Sequence, residues 1–120
     1  MGRSRPIALV VEEDESQREF AATLLEECDM EVIPCTSAEA AASMLETRAE
    51  TPRFLLTDVV LPGVLTGADL AHLVHVKYPD TKVVVTSGEQ FPPPLPDGAT
   101  FLPKPWAPLD LLREATAVTL

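Results

Sequence analysis

A short apolar run that stops on an acid constrains this chain more than any other feature. Phe54-Leu55-Leu56-Thr57-Asp58 is followed by Val59-Val60-Leu61 and then by the turn signal Pro62-Gly63. An apolar run this short, closed by turn residues, suits a strand covered on both faces. Both faces are covered mainly in parallel sheets that carry helices above and below. An acid at the end of such a strand lies at the carboxyl edge of the sheet, where open α/β folds place their ligands. Asp58 is therefore the candidate reactive group.

The rest of the chain repeats the strand-then-helix order. Ile7-Ala8-Leu9-Val10-Val11 reads as a central strand and runs into Glu12-Glu13-Asp14-Glu15, four acids in a row. Such a block repels itself, so it calls for a helix N-terminus capped by Asp14 or Glu15, for a cation site, or for both. From Ser16 to Cys28, Phe20, Ala21, Leu24, Leu25 and Cys28 recur at helical spacing and predict an inward face. Glu31 to Pro34 reads as a short strand whose proline suits a sheet edge. Ser37 caps a helix from Ala38 to Arg48. Thr66 or Gly67 opens another, which runs to Tyr78. Lys82 to Thr86 is a strand closed by Ser87-Gly88, Thr100 to Leu102 a brief fifth strand, and Leu109 to Val118 a last helix behind Pro108. The expected fold is one α/β domain over residues 1–120: five parallel strands, doubly wound, with right-handed crossovers.

Composition narrows the function. A formal net charge of -10 argues against direct binding to nucleic acid or to an anionic membrane, and permits a cationic partner or a bound metal ion. No apolar run approaches the ~18 residues of a membrane span, and Met1 to Pro6 does not resemble a signal peptide. Cytoplasm is the expected location. Cys28 and Cys35 lack metal-ligand spacing and are expected to be buried thiols.

In the expected fold the strand ends bring Glu12, Glu13, Asp58, Ser87 and Lys104 to one edge. Carboxylates this close repel, so one pKa would rise unless a cation intervenes. Mg²⁺ suits oxygen donors of this kind. Lys104 offers an ammonium and Ser87 a hydroxyl. A carboxylate nucleophile so surrounded is arranged to accept a phosphoryl group, a reaction carried mostly by positioning and charge neutralisation.

Four stretches then resemble the receiver domain of two-component response regulators, in order and over nearly the whole chain. They are Val10 to Glu13, Asp58 to Gly63, Thr86-Ser87-Gly88, and Phe101-Leu102-Pro103-Lys104-Pro105. The resemblance implies a flavodoxin-like strand order 2-1-3-4-5. It implies Asp58 as phosphoacceptor, with Mg²⁺ on Glu13, Asp58 and the Val60 carbonyl, and Glu12 acting through water. Ser87 would bind the phosphoryl group, Lys104 would clamp it, and Phe101 would be the aromatic that moves with Ser87. The implied partner is a histidine kinase or histidine phosphotransfer protein, and the implied role is a conformational signal rather than metabolic catalysis, with slow hydrolysis of the aspartyl phosphate.

Three features depart from that pattern. An aspartate is usual where this chain has Glu13. The Val64-Leu65-Thr66-Gly67 loop is one residue longer than the commonest form, as in the subgroup at the ends of hybrid histidine kinases. The third is Gly88 to Asp97, where the family places its fourth helix and this chain has Pro92, Pro93, Pro94 and Pro96. Prolines remove backbone donors, and a helix averages about 11 residues, so that helix is expected to be missing or cut to one turn. What the segment from Phe91 to Pro96 contacts is open, with a docking surface and a cover for the sheet edge as equal alternatives. A degenerate receiver that binds partners without phosphorylation is the competing function. A Mg²⁺-dependent phosphatase is disfavoured, because Val60 stands where its second acid belongs. His72 and His75 are expected to be ordinary helix residues, and Trp106 to pack beside Lys104.

Overall fold

The computed structural model describes residues 5–119; the Met1 to Ser4 part of the leader reading falls outside them. Five strands form one sheet: β1 (Ile7–Val11), β2 (Glu31–Cys35), β3 (Phe54–Asp58), β4 (Lys82–Ser87) and β5 (Thr100–Pro103). All neighbouring pairs are parallel, in the order β2-β1-β3-β4-β5. The helices are α1 (Glu15–Glu27), α2 (Ala38–Thr47), α3 (Gly67–Lys77) and α4 (Pro108–Thr119). The expected α/β fold is the observed one, including its strand order and its missing helix.

Strand alternation divides the core into two layers. Leu9, Val11, Leu55, Val83 and Val85 face one side, where Ala38, Ala41 and Leu45 of α2 and Leu70, Ala71 and Val74 of α3 cover them. Ala8, Val10, Phe54, Leu56 and Val84 face the other, under Leu24 and Leu25 of α1 and Leu111 and Ala115 of α4. Phe54 is fully buried there; burying such a side chain is worth about 1.5–3 kcal/mol. Small residues on α2 let it lie close to the sheet. Pro34 sits on edge strand β2, where a missing donor is tolerated.

Local chemistry sets the helix starts. The Asp14 side chain accepts from the Gln17 N–H, and Ser37 accepts from the Ala40 N–H. Thr66 and Asp69 cap α3 reciprocally. Phe20 differs from its expected inward place. It is 49% exposed and stacks on Trp106, ring centroids 5.9 Å apart. Its position on α1 lies beyond the sheet surface, so it meets the loop after β5 instead of the core. Cys35 is buried, as expected; Cys28, at the end of α1, is only partly so.

Between β4 and β5, residues 88–99 contain no helix. Pro92 to Pro96 lies in no helix or strand, with Pro96 buried and Leu95 packed on the α2/α3 layer. His72 Nε2 of α3 lies 2.9 Å from the Pro94 carbonyl oxygen. Phe91 projects outward, 79% exposed. Four prolines cannot donate to a helical ladder, so side-chain packing holds the segment instead.

Candidate functional site at the carboxyl edge of the sheet

β1 delivers Glu12 to the edge. Its backbone N–H donates to the Cys35 carbonyl at 3.0 Å, which extends the β1–β2 ladder and fixes the side chain's direction. The Glu12 side chain is 10% exposed. One oxygen accepts from the Asp14 N–H at 3.0 Å, and the other accepts from Lys104 Nζ at 2.8 Å.

β3 delivers Asp58, half-buried, directly across from Thr86 in the β3–β4 register. Lys104 Nζ donates to Asp58 Oδ2 at 3.2 Å, so one ammonium bridges two carboxylates brought from sequence-distant strands. The start of α3 lies against the backbone of Asp58. A Cβ added at Gly67 would overlap the Asp58 carbonyl, so only glycine lets the helix begin there. Lys104 is placed by its own N–H, which donates to the Ser87 carbonyl at 2.8 Å as β5 ends; the Lys104–Pro105 peptide is cis.

The charges are tuned by this packing. Burial pushes the Asp58 carboxyl above its ordinary value, and the Lys104 charge and hydrogen bond only partly oppose it. Burial works against the Lys104 ammonium too, but hydrogen bonds and charges from Glu12 and Asp58 outweigh it and raise its pKa. The two shifts share one cause: packing desolvates both groups, and the Lys104 ammonium stays charged beside the carboxylate.

Glu12, Asp58 and Lys104 thus converge. Glu13 does not join them: its side chain is exposed, and its carbonyl accepts from Arg18 Nη1 at 3.1 Å. Val60 lies two residues beyond Asp58 on exposed chain. Ser87 is 1% exposed, and its hydroxyl accepts from the Glu89 N–H at 3.0 Å. Phe101 is half-buried on β5 across from Val85, on the sheet face that also holds Ser87. Among the described residues no three His, Cys, Asp or Glu side chains are grouped to hold a metal ion. The donors that do converge are all oxygens, which matches a hard cation such as Mg²⁺.

Two contributors escaped the sequence reading. Thr86 lines the same small cavity as Glu12 and Asp58; its signal was strand alternation, which sets it on the face opposite to Ser87. Glu39 of α2 holds the loop after Asp58, accepting from the Val64 N–H at 2.8 Å and the Leu65 N–H at 2.9 Å. Those backbone donors lower its pKa. Gly63 makes room for that carboxylate, with φ at 96° and no Cβ to meet Glu39 Oε1.

The profile of the response regulator receiver domain matches residues 8–116. This chain belongs to the response regulator receiver family. It is a receiver domain of two-component signalling, in a family that is not one of enzymes and whose members generally bind Mg²⁺. Receiver domains of this kind interact with histidine kinases or phosphotransfer proteins. The receiver domain of the hybrid histidine kinase CckA is 29% identical; the match covers 95% of this chain and 99% of that one, with a TM-score of 0.79. A response regulator receiver protein from Sinorhizobium medicae WSM419 shares the fold at a TM-score of 0.85 and 18% identity, over 96% and 94% of the two chains. Rice (Oryza sativa) two-component response regulator-like PRR37 is 39% identical over 56 residues. That match takes in 47% of this receiver domain and 8% of the rice protein, so the domain spans a small part of its curated relatives. Among the described residues no helix is long and apolar enough to cross a membrane.

Proposed function

We propose that this receiver domain accepts a phosphoryl group on Asp58 from the phosphohistidine of a histidine kinase or phosphotransfer protein, in the cytoplasm, and signals through the conformation that follows. The observation that carries this reading is the single ammonium of Lys104 bridging Glu12 and Asp58. An Asp58 oxygen attacks phosphorus. The P–N bond of the donor breaks, its electron pair returns to the imidazole, and an aspartyl phosphate forms. Lys104 can move from carboxylate to phosphoryl oxygens without leaving the pocket, so it offsets the charge that the new group brings. Mg²⁺, held by Asp58, Glu13 and the Val60 carbonyl with Glu12 through water, would neutralise the remaining charge. Glu13, exposed and next in the chain to Glu12, would turn toward Asp58 to take part.

The donor protein must come over exposed surface next to Asp58. The stacked Phe20 and Trp106 rim a hollow of about 410 Å³ that Gln17, Lys104 and Pro105 complete. Its apolar wall beside the site suits a helix carrying the phosphohistidine. After transfer, the Ser87 hydroxyl, which accepts from the Glu89 N–H, would donate its proton to a phosphoryl oxygen, and Phe101, on the same face, would follow it. That is a population shift between two packings.

The test is incubation with Mg²⁺ and acetyl phosphate, followed by intact mass. The wild-type chain gains one phosphoryl group and Asp58→Asn gains none. A wild-type chain that stays unmodified at every Mg²⁺ concentration would make it a partner-binding module that works without phosphate.

A further inference from the structure

Thr86 and Ser87 are adjacent hydroxyls at the end of β4, but they face opposite sides of the sheet. Val83 and Val85 pack in the α2/α3 layer with the Ser87 side, and Val84 packs in the α1/α4 layer with the Thr86 side. Ser87 has a partner in the Glu89 N–H. Thr86 is 3% exposed, and its Oγ1 has no hydrogen-bond partner among the described residues. A buried hydroxyl without a partner is unfavourable.

That hydroxyl belongs to a residue lining a cavity of about 10 Å³. Glu12, Gln17 and Asp58 give the cavity its other polar walls, and Leu56 and Trp106 close it. A space of this size takes about one water, which needs two to four polar partners. Thr86 stands opposite Asp58 in the strand register, yet makes no direct hydrogen bond to it. A hydroxyl and a carboxylate that line one small cavity without a direct hydrogen bond can share a bridging water.

We propose that Thr86 and Asp58 hold a single water between them on the α1/α4 side of the sheet, and that Thr86, acting through it, is a positioning residue for the acceptor carboxylate. The Thr86 O–H donates to the water, and the water donates to the carboxylates of Asp58 and Glu12. Lys104 grips Asp58 from one direction; the water restrains it from another, which limits rotation of the carboxylate away from the approaching phosphorus. The two neighbouring hydroxyls then divide the work: Ser87 meets the phosphoryl group, and Thr86 aims the group that attacks it. This rests on the reading of Asp58 as phosphoacceptor.

Thr86→Val keeps the shape and removes the hydroxyl; Thr86→Ser keeps the hydroxyl. With saturating acetyl phosphate and Mg²⁺, the rate of adduct formation should fall about tenfold in Thr86→Val, the scale expected of a modest misplacement, and stay within about twofold of wild type in Thr86→Ser. The Mg²⁺ concentration for half-maximal rate, read from the same series, should not move. A high-resolution crystal structure of the wild-type chain should show a water bonded to Thr86 Oγ1 and Asp58, and that of Thr86→Val should lack it. Equal rates in wild type and Thr86→Val, or equal slowing in both variants, would overturn the positioning role. A wild-type chain with the water but no adduct would refute the phosphoacceptor reading and leave the water site standing. A wild-type crystal structure without the water would overturn the site itself.

Discussion

At the carboxyl end of β4 two regions meet that are built in opposite ways. On one side lies the acceptor edge, where Glu12, Asp58 and Lys104 are fixed by ladder hydrogen bonds, buried strands and a glycine that admits α3. On the other lies the crossing from β4 to β5, where the usual helix has given way to a proline-rich segment without helix or strand. The first region is held by backbone, and the second by side chains laid on the core. Rigid strands place chemistry to within fractions of an ångström, so the edge holds the oxygens and ammonium that the proposed phosphoryl transfer would need. On the proposed function the crossing meets a different demand, as part of the surface a partner would read.

The largest effect belongs to the acceptor edge. Lys104→Met should leave the fold intact and slow phosphoryl acceptance about a hundredfold, the usual scale for removing one group that stabilises transferring charge. A time course of intact mass reads it. An unchanged rate would mean that the bridge is a structural ion pair.

The crossing should respond in stability instead. Leu95→Ala is expected to cost about 1–2 kcal/mol in urea denaturation, because Leu95 is partly buried on the α2/α3 layer. Phe91→Ser, a few residues earlier and outward-facing, should change stability by less than about 0.5 kcal/mol. Equal costs at both positions would show that the segment is packed throughout rather than pinned near Leu95.

The smallest effect tests the loop between the two regions. The Glu39 pKa is lowered by the Leu65 and Val64 N–H groups, so the carboxylate favours the folded state above its unfolded pKa. That contribution disappears as pH falls through the folded pKa. Glu39→Gln should therefore melt below wild type at pH 7, and the difference should close below about pH 4, the ordinary carboxylate range. A difference that persists in acid would assign the effect to packing.

Much of this was legible in the amino-acid order. β1 and β3 match their expected bounds because uninterrupted apolar runs allow little else. The absent helix was legible in Pro92, Pro93, Pro94 and Pro96, which state their backbone limits outright. Choices between adjacent residues were not. Glu12 turns in while Glu13 stays exposed, and Thr86 shares the cavity while Ser87 turns to the other layer. Each choice depends on strand register, which links segments far apart in sequence. Phe20 shows the same limit: helical spacing marked it apolar-facing, but only the chain's return through Trp106 decides what it meets.

The most direct measurement is the chemical identity of the acceptor. Phosphorylated protein reduced with borohydride converts an aspartyl phosphate to homoserine, which peptide mapping locates. Phosphorylation of Asp58 would yield homoserine at position 58, in the peptide that carries Val59 to Gly63. An unaltered Asp58, or the phosphoryl group on another side chain such as His72, would contradict it.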